Sequence, residues 1–531
     1  MTTIPVEALR ARLSRPEHLL TSEAERFLHG RDCWPRLQLV HRQGGDPALW
    51  PDAVFRPAAE EELTAFLRGA RELGVGVNAW GGGSGVTGAA VHTQGGVAVD
   101  LKRLCDLDLS RAGDGLVLAG AGWNGARLEE ALQRHGLTLG HFPSSILCST
   151  VGGWAATRSA GQLSSRFGKI EDMVVALRVV DGRGGARWIG CSDRDELALQ
   201  IGSEGCVSLI TAVWLRVEPS PRWHGYRGYL APDLDTALDA LQSVLHAGHR
   251  PAVLRLYDPF DSYISSARKA GASTEASPLP AKSSADEEEG LLALLRSKAS
   301  QVVGSRAAKS LSLRAANAML SRMSGATSWL RRAVDTAMKE CFLVVGVEEA
   351  DEAVGRAVFD DVHAHFSARL RDLGEAPGEH WLAHRYRVSF KQAALLDGGL
   401  FVDTMEIAAP WERLSAIYHE VCRAVEPYAF VMAHFSHSYT TGGAIYFTFA
   451  GFGTSDADAL RRYQAAWSAG LDAVVRSGGA ATHHHGVGVL KASHLYVDHE
   501  GAAERYVSWK RGHDPEDLLN PGKLWTQGGG P

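Results

Sequence analysis

The segment Val75-Gly76-Val77-Asn78-Ala79-Trp80-Gly81-Gly82-Gly83-Ser84-Gly85-Val86 joins a β-prone run to a glycine loop. Residues 74–80 predict a strand, and the loop begins where this strand ends. Glycines tolerate positive φ and expose consecutive backbone N–H groups, which together can bind a phosphate or pyrophosphate. The loop has neither the GxGxxG spacing of a Rossmann turn nor the Gly-Lys-Ser/Thr of a Walker loop. A flexible turn is the alternative interpretation, and this segment alone leaves it open.

Outward from this loop, short β-prone runs alternate with segments of helical periodicity. Alternation of this kind indicates an α/β or α+β fold. A second region begins near Pro219, and β-prone runs recur in it as far as 446–449. Before this second region, helices are predicted at 60–73 and 127–135. Strands are predicted at 97–101, 116–119, 174–180 and 208–217, in addition to 74–80.

Length and composition limit the class of protein. The 531 residues are 45% hydrophobic and 22% charged, which predicts about two to four domains. A formal net charge of -6 gives no reason to expect nucleic-acid binding. Seven cysteines without a CxxC pair are typical of reduced thiols. With no signal-peptide pattern and no run of ~18 apolar residues, we expect a cytoplasmic protein without a membrane span.

Three further segments rich in small residues lie beside predicted strands or helices. They are Ser149-Thr150-Val151-Gly152-Gly153-Trp154, Gly168-Lys169-Ile170-Glu171-Asp172-Met173-Val174 and Gly202-Ser203-Glu204-Gly205. Small residues let a ligand approach the backbone closely. Together with the glycine loop, these segments could line one groove for a large, flat ligand that carries several phosphates.

Near the end of the chain, three consecutive histidines are followed by Gly-Val-Gly. We call the whole segment, His483-His484-His485-Gly486-Val487-Gly488, the histidine run. Imidazoles titrate near neutral pH, and three in a row cannot share one face of a strand. The glycines that follow permit close approach of something flat or bulky. We interpret the histidine run as a segment held against a cofactor.

In this order, the motifs resemble the FAD-binding, PCMH-type domain of vanillyl-alcohol-oxidase-type flavoproteins. Within that family, the resemblance is strongest to the alkyldihydroxyacetonephosphate synthase group, and it spans roughly residues 50–525. Each motif alone is modest, whereas the ordered set is specific. The later segments that continue the resemblance are Glu406–Trp411, His437–Tyr439, Ala444–Phe447, the histidine run and residues 514–524.

The resemblance implies an α+β fold. A PCMH-type FAD-binding domain of two subdomains is joined to an α/β cap, or substrate, domain that contains an antiparallel sheet. The expected parts are a helical N-terminal extension at 1–47, the FAD-binding domain at 48–218, the cap domain at 219–480 with a mobile or inserted segment at 268–335, and a C-terminal segment at 481–531 that returns to the FAD-binding domain.

The resemblance also implies which residues bind FAD. We expect FAD to be held non-covalently, because members that attach flavin through the pyrophosphate loop use a His or Cys there, and residues 78–88 contain neither. The expected cofactor-binding residues are Trp80, Gly81, Gly82, Gly83, Ser84, Gly85, Val86, Pro143, Ser149, Thr150, Gly152, Gly153, Thr157, Glu204, Gly205 and Ile210.

Tyr446 stands where the synthase group has its catalytic tyrosine. A phenol becomes a base only where a cation or hydrogen bonds favour phenolate, and His483, His484 and His485 could supply that charge. The alternative is a core tyrosine on a β-prone segment. The group's substrate-binding arginine is replaced here by Gln392, so the adjacent Lys391 is the candidate substitute. The expected catalytic residues are therefore Tyr446, His483, His484, His485 and Lys391, and the expected substrate-binding residues are Arg387 and His437.

Three functions remain open. The first is a synthase-like FAD enzyme that uses flavin N5 chemistry on a small hydroxy or keto substrate carrying an acyl chain. The second is an FAD-linked oxidase or dehydrogenase of a 2-hydroxy acid or alcohol. The metal-ligand pattern of that branch is incomplete here, so no metal is expected. The third is a binding or scaffold protein without turnover.

The expected partners are a small-molecule substrate and a second copy of the chain, without nucleic acid. The basic segment 305–335 is interpreted as an ordinary cap helix. Peripheral contact with a membrane surface is its alternative.

Overall fold

The computed structural model describes residues 4–42, 45–262, 338–386, 396, 400–498 and 502–524. Contacts within the chain divide it into two compact units. The first unit comprises Met1–Ser220 and Ala481–Pro531, and the second comprises Pro221–Ala480. The sequence placed the corresponding boundaries at 218/219 and 480/481. The whole of 268–335, including the basic segment 305–335, lies outside the described residues.

The described strands of the first unit form three sheets. They are β1 (Leu19–Leu20), β2 (Ala53–Phe55), β3 (Val77–Trp80), β4 (Val97–Asp100), β5 (Leu107–Asp108), β6 (Leu116–Gly120), β7 (Leu137–Thr138), β8 (Val174–Asp181), β9 (Ala186–Gly190), β10 (Ser208–Arg216) and β11 (Glu218–Pro219). One sheet has the order β1-β2-β4-β3, with β2, β4 and β3 parallel. The antiparallel order β5-β6-β10-β8-β9 forms another sheet, and β11 pairs with β7. The glycine loop therefore leaves the edge strand of a parallel sheet.

The first unit buries a core between its parallel sheet and the helix at 60–72. This helix places Leu63, Phe66 and Leu67 at helical spacing, and all three are buried. Phe66 stacks on Phe55 of β2 with ring centroids 4.3 Å apart. Burial of each such side chain stabilises the fold by roughly 1.5–3 kcal/mol. The helices of this unit are α1 (Val6–Arg10), α2 (Glu23–His29), α3 (Pro35–His41), α4 (Glu60–Glu72), α5 (Gly125–Gln133), α6 (Val151–Thr157), α7 (Ser164–Phe167), α8 (Ile170–Met173), α9 (Arg194–Gln200), α15 (Ala492–Asp498) and α16 (Ala502–His513).

The C-terminal segment is part of the first unit. Leu518 O accepts a hydrogen bond from the Val77 N–H (2.7 Å), and the Asn520 N–H donates to Val77 O (2.6 Å). The segment thus adds its backbone to the free edge of β3. This pairing brings residues 514–524 to the strand from which the glycine loop departs.

The second unit is built on a sheet whose described strands follow the order β15-β12-β14-β13-β17-β18-β16. All of its pairings are antiparallel. Half-buried and buried residues alternate over 430–435, the first part of β17 (Phe430–Tyr439), as expected for a strand with one covered face. The strands are β12 (Trp223–Ala231), β13 (Val253–Tyr257), β14 (Cys341–Glu349), β15 (Arg371–Asp372), β16 (Phe401–Pro410), β17 (Phe430–Tyr439) and β18 (Gly442–Gly451).

Amphipathic helices pack on this sheet. The longest described helix, at 456–476, begins at Ser455, whose side chain accepts a hydrogen bond from the Asp458 N–H and so caps the first turn. The α+β class and the antiparallel sheet expected from the sequence are confirmed. No described helix has the length and hydropathy of a membrane span. The helices of the second unit are α10 (Leu234–His246), α11 (Glu352–Ser367), α12 (Ala376–His384), α13 (Trp411–Val425) and α14 (Asp456–Arg476).

Candidate active site

The glycine loop presents free backbone donors at the end of β3. Within the described residues, the N–H groups of Gly82, Gly83, Ser84 and Gly85 donate no hydrogen bond to the protein. The loop is half-buried, so four neighbouring donors lack a protein acceptor in a sheltered place. Unpaired donors of this kind are costly unless a ligand or water accepts from them. A row of such donors fits the oxygens of a phosphate or pyrophosphate.

Glycine is required in this loop because the neighbouring segment packs directly against it. A Cβ at Gly82 would lie 1.9 Å from Cys148 O, and one at Gly81 would lie 2.4 Å from Thr150 Oγ1. Gly83 has a φ of 63°. The Trp80 ring is buried beneath Gly83 and contacts the His29 ring at 5.0 Å. The glycine loop and the segment at 148–150 therefore form one joined surface.

The segment at 149–157 forms the second part of this surface. Ser149 Oγ accepts a hydrogen bond from Trp154 Nε1 (2.8 Å), and Thr157 Oγ1 donates to Gly153 O (2.9 Å). A Cβ at Gly152 would lie 2.6 Å from that of Ala121, so this glycine serves packing between α6 and the turn after β6. Thr150 Oγ1 is buried and has no hydrogen-bond partner among the described residues.

The loop before β10 contributes Glu204 in an unexpected way. Its carboxylate accepts hydrogen bonds from the N–H groups of Val487 (through Oε1) and Gly488 (through Oε2, 2.8 Å). The side chain expected to bind the cofactor therefore binds the histidine run. Burial raises the pKa of Glu204 to about 7, against the opposing effect of those two N–H groups. Two other expected cofactor-binding residues lie in this region. Gly205 has a φ of 72°, which favours glycine, and Ile210 is buried within β10.

The glycines of the histidine run contact protein atoms. A Cβ at Gly486 would lie 2.6 Å from Glu204 Oε1, and one at Gly488 would lie 2.2 Å from Thr87 O. The sequence analysis explained these glycines by the close approach of a cofactor. The contacts with Glu204 and Thr87 are a different reason why both positions have no side chain. Thr482 Oγ1 donates to Gly486 O (3.1 Å), which closes the segment into a compact turn.

The three histidines of the run pack against one another. The Nδ1 atoms of His483 and His484 lie 2.9 Å apart, so one of these nitrogens carries the proton that the other accepts. The rings of His484 and His485 meet edge to face at 4.6 Å. His484 is buried, whereas His483 and His485 are half-buried. Their mutual contacts fix the orientation of all three rings.

A buried polar cluster behind the glycine loop was not predicted from sequence. Lys523 Nζ donates to Ala89 O (2.6 Å) and to Asn520 Oδ1 (2.7 Å). Asn520 Nδ2 donates to Glu204 O (2.7 Å), and Asn78 Nδ2 donates to Asn520 Oδ1 (2.7 Å). Burial lowers the pKa of Lys523 to about 8. The cluster ties the C-terminal segment to both loops, and the Asn-Pro-Gly-Lys sequence at 520–523 was its one visible signal.

The N-terminal residues also belong to this region. The Cys33 N–H donates to Gly85 O (2.8 Å), and burial raises the pKa of the adjacent Asp32 to about 6. His29 Nε2 lies 3.2 Å from Asp100 Oδ2, at the end of β4. The segment expected to be a separate helical extension therefore packs against the glycine loop inside the first unit.

Polar side chains cross four strands of the second unit in one row. Tyr446 on β18 is directly opposite His434 on β17 and Glu406 on β16, and His434 is opposite Tyr257 on β13. Directly opposed residues project on the same face of a sheet. Glu406 is fully buried, and the His434 ring stacks on the Tyr446 ring at 4.7 Å. Tyr446 is thus a member of a polar row rather than of an apolar core.

His437 joins the row through a β-bulge. Regular alternation would place it on the opposite face from His434, three residues earlier. The register shifts between Ser436 and Ser438, and His437 takes a φ of 55°. Its Nε2 consequently lies 3.1 Å from the Tyr446 hydroxyl oxygen. The bulge therefore brings a second imidazole to the phenol.

The protonation state of His434 follows from its partner. Arg255 Nη2 donates to His434 Nε2 at 3.0 Å, and Arg255 Nε donates to Tyr257 Oη at 3.0 Å. A guanidinium only donates, so His434 Nε2 must be an acceptor and the ring is neutral, with its proton on Nδ1. His437 is consequently the imidazole that can exchange a proton with Tyr446.

The phenol of Tyr446 carries its proton at neutral pH. Burial, and then the charge of Glu406, raise its pKa well above the ordinary value, against the opposing effect of Arg255. The sequence analysis named His483, His484 and His485 as groups whose charge could favour phenolate. Within the second unit, desolvation outweighs the charge of Arg255, so the Tyr446 phenol stays protonated.

The remaining predicted residues are placed as follows. Lys391 and Arg387 lie outside the described residues. Pro143 precedes the loop that leads to Ser149, and its carbonyl accepts a hydrogen bond from the Ile146 N–H (2.9 Å). The structure places the predicted cofactor-binding residues and the histidine run in the first unit, whereas Tyr446 and His437 belong to the second.

The glycine loop presents free N–H groups at the end of an edge strand of a parallel sheet, in an α+β chain of two units. This architecture fits an FAD-dependent flavoprotein. The residues fit FAD because the four free N–H groups suit its pyrophosphate. The chain belongs to the family of FAD linked oxidases, whose C-terminal domain matches residues 220–524. The FAD binding domain of such proteins matches residues 51–190. The protein is therefore an FAD-dependent enzyme of the PCMH type.

Comparison with known proteins places the chain near one synthase. Alkyldihydroxyacetonephosphate synthase of Dictyostelium discoideum is 28% identical over 495 residues, which cover 89% of this chain and 73% of the synthase. A solved structure of an alkyldihydroxyacetonephosphate synthase has a TM-score of 0.72 at 24% identity, and covers 98% of this chain and 84% of its own. D-lactate dehydrogenase of Archaeoglobus fulgidus is 31% identical over 197 residues, 36% of this chain and 44% of the dehydrogenase.

Proposed function

We propose that this enzyme catalyses a synthase-like exchange, in which the acyloxy group of a small keto or hydroxy substrate is replaced by the alkoxy group of an alcohol and leaves as a free carboxylate. Similarity to alkyldihydroxyacetonephosphate synthase along 89% of the chain supports this reaction class. The observation that carries the proposal is the Tyr446 phenol, which lies 3.1 Å from His437 Nε2 on a polar face of the second unit. Bound FAD would supply the reactive isoalloxazine nitrogen, and the side chains would bind the substrate and move protons.

Tyr446 acts in this proposal as a general acid. Its raised pKa keeps the hydroxyl protonated, so the phenol can donate a hydrogen bond to a substrate oxygen and pass its proton to that oxygen as it becomes strongly basic, whereas the displaced carboxylate leaves as the anion. His437 then returns a proton to the phenol through their hydrogen bond. His434 stays neutral because Arg255 donates to it, so it orients the phenol ring by stacking rather than by charge.

The substrate site is proposed to include His437, together with Arg387 and Lys391 as cationic groups for an anionic substrate. Gln392 stands where the synthase group was expected to have arginine. A lysine binds a phosphate as a point charge and without the bidentate geometry of arginine. A small anionic substrate remains the proposal, held with a different geometry.

An oxidase or dehydrogenase of a 2-hydroxy acid is the second candidate. It is supported by the similarity to a D-lactate dehydrogenase, which is limited to 36% of this chain. The two candidates differ in whether flavin is reduced during turnover, because a hydroxy acid would pass two electrons to FAD and an exchange reaction is redox-neutral overall.

Anaerobic spectroscopy separates these reactions. Purified holoenzyme is mixed without oxygen with lactate or glycolate, and in a parallel sample with an acylated dihydroxyacetone phosphate plus a long-chain alcohol. We expect the oxidised flavin spectrum to persist with the hydroxy acids, and the second mixture to yield free fatty acid and the ether product in equal amounts. Complete bleaching by a hydroxy acid, without ether product, would establish the oxidoreductase instead.

We further propose that the enzyme is a cytoplasmic homodimer that binds FAD non-covalently. The dimer and the location rest on the sequence alone. Size-exclusion chromatography with light scattering measures the first, and fractionation of source cells measures the second. A membrane contact of the segment at 305–335 would appear as sedimentation with anionic vesicles that is lost at high salt.

A further inference from the structure

Glu204 joins three segments of the first unit. Its N–H donates to Ala156 O at the end of α6 (2.9 Å), and its carbonyl accepts from Asn520 Nδ2 (2.7 Å). Its carboxylate accepts from the N–H groups of Val487 and Gly488. The residue is 5% exposed and has a φ of 51°, in the left-handed region that non-glycine residues rarely occupy. Such a conformation persists only where the surroundings hold it, often at functional sites.

Thr87, which follows the glycine loop, also holds the backbone in and after the histidine run. Thr87 O accepts from the N–H groups of Val489 and Leu490, each at 3.1 Å, and Thr87 Oγ1 donates to His485 O (3.4 Å). Glu204 and Thr87 thus hold consecutive peptide groups of one short segment. The glycine conformations at 486 and 488 are what allow both contacts to form.

We propose that Glu204 is a positioning residue of the reaction: its carboxylate fixes residues 486–488 and thereby sets the three histidines beside the glycine loop. The inference rests on the proposed function and on the catalytic role that the sequence resemblance implies for His483, His484 and His485. Glu204 acts through the histidines and is not a ligand of FAD, which changes the role that the sequence resemblance implied for its side chain.

The carboxylate is the chemical group that this role requires. Two converging N–H donors need two acceptor oxygens, and the carboxyl group of a glutamate offers both. A glutamine offers one acceptor and turns its NH2 group towards the other N–H. Glu204→Gln therefore keeps the size of the side chain and breaks one of the two contacts. The charged and titratable groups that act on this carboxylate are Asp32, Cys206, Tyr506 and Lys523.

A second buried glutamate offers a matched control. Glu129 is 6% exposed in the same unit, and its carboxylate accepts from Thr138 Oγ1 (2.6 Å) and from the Leu139 N–H (3.1 Å). It thus makes the same kind of contact with backbone, at α5 and β7 rather than at the histidine run. Glu129→Gln reproduces the general cost of replacing a buried carboxylate.

Hydrogen–deuterium exchange of the two FAD-bound variants, read by mass spectrometry, tests the inference together with steady-state kinetics. In Glu204→Gln we expect the peptide spanning 486–490 to exchange roughly 10-fold faster than in the wild type, because one hydrogen bond is lost. We expect kcat to fall by ~10–100-fold with KM changed less than ~3-fold, as for misplaced reacting groups. Glu129→Gln should leave both the exchange of this peptide and kcat unchanged.

Wild-type exchange and kcat in Glu204→Gln, or an equal loss of kcat in Glu129→Gln, would overturn the inference. Loss of FAD without faster exchange would make Glu204 a cofactor ligand instead. If Glu204→Gln does not fold, Gly486→Ala is the second variant, because its added Cβ would lie 2.6 Å from Glu204 Oε1 and disturb the same contact. It must give the same faster exchange of residues 486–490 and the same fall in kcat. Failure of the proposed function is distinguishable, since the wild type would then show no ether product while the exchange result still stands.

Discussion

The Tyr446 phenol is held protonated by its surroundings, and its replacement by phenylalanine tests the proposed proton-donor role. Tyr446→Phe removes the hydroxyl and keeps the ring stacked on His434, so fold and FAD content should survive. We expect turnover to fall by ~100-fold or more, the usual scale for a lost acid–base group. The measurement is the steady-state rate at equal flavin concentration.

The control for this substitution is Tyr229→Phe. Tyr229 is buried in the same sheet, and its hydroxyl also hydrogen-bonds a histidine ring, His363 Nδ1 at 2.9 Å. It lies on β12, two strands from the polar row. Activity should be close to wild type in Tyr229→Phe, and an equal loss in both variants would assign Tyr446 a packing role only.

The pKa of Glu204 predicts how stability depends on pH. Its folded value of about 7 lies above the ordinary 4.5, so the folded protein binds the proton more tightly than the unfolded chain. The resulting stabilisation is fully present below pH 4.5 and is lost as the pH rises through 7, on the order of 3 kcal/mol. Asp32, with a pKa of about 6, acts in the same direction.

Glu204→Gln isolates this contribution. Lys523 and Asp32 titrate in both proteins, so the difference in melting temperature between wild type and variant reports mainly Glu204. We expect the wild type to lose stability relative to the variant from pH 5 to pH 7.5, and the difference to be constant above that. Release of flavin fluorescence on heating gives the melting temperature, and a difference independent of pH would contradict the raised pKa.

Residue roles were readable from the sequence only where one local pattern carried them. The glycine loop and the histidine run were recognisable because their residue types are unusual in strands and helices. Glu204 and Val487 are 283 positions apart, and nothing local marks their hydrogen bond. The neutral state of His434 likewise depends on Arg255, 179 positions away. The side-chain roles that depend on tertiary contacts could not be predicted.

At the scale of helices and strands, the C-terminal segment is held by a buried ion pair. Lys510 on α16 and Asp514 are 2% and 0% exposed, with Nζ and Oδ2 2.9 Å apart. Lys510 Nζ also donates to Cys206 O (2.7 Å) and Leu519 O (3.0 Å), which connects α16 to the start of β10 and to the segment beside β3. This lysine thus fixes the backbone on which the glycine loop depends.

Lys510→Met should strongly destabilise the first unit. Removing one partner leaves the Asp514 carboxylate buried without its cation, which costs roughly 3–5 kcal/mol. Urea unfolding followed by flavin fluorescence measures the loss. The exposed pair Arg71–Glu516, with both side chains 41% exposed, provides the control, and Arg71→Met should change the unfolding free energy by only about 0–1 kcal/mol. Equal effects of the two substitutions would contradict the structural role of Lys510.

Element positions were predicted well where a period was clear. The helix expected at 60–73 is α4, and the strand expected at 208–217 is β10. The β-bulge at His437 could not be predicted, because strand alternation alone places His434 and His437 on opposite faces. That single irregularity decides which imidazole meets Tyr446.

For the whole molecule, the division into two units assigns the predicted functions to different parts of the chain. The glycine loop, the histidine run and the buried polar cluster around Lys523 belong to the first unit. The polar row that contains Tyr446 belongs to the second. The order of motifs along the sequence predicted FAD as the cofactor, and the two family domains confirm it. Substrate identity depends on side chains from separate segments, which one sequence does not resolve.

Hydrogen bonds and packing should be all that holds the flavin in this protein. We expect one FAD per chain, bound without a covalent bond. The glycine loop contains neither the His nor the Cys that would anchor flavin covalently, and the thiols next to it are poor nucleophiles. Partial desolvation of these surface thiols raises the pKa of Cys33 to about 11 and also raises the pKa of Cys148, so both remain thiols at neutral pH.

Acid precipitation measures the attachment directly. Because only hydrogen bonds and packing hold a non-covalent cofactor, unfolding must release it, and the flavin in the supernatant should equal the moles of protein. His483 and His485 are the half-buried imidazoles that could instead form a bond to flavin. A yellow pellet would show such a bond, and replacing each histidine by alanine in turn would then identify the linked residue as the one whose loss returns all flavin to the supernatant.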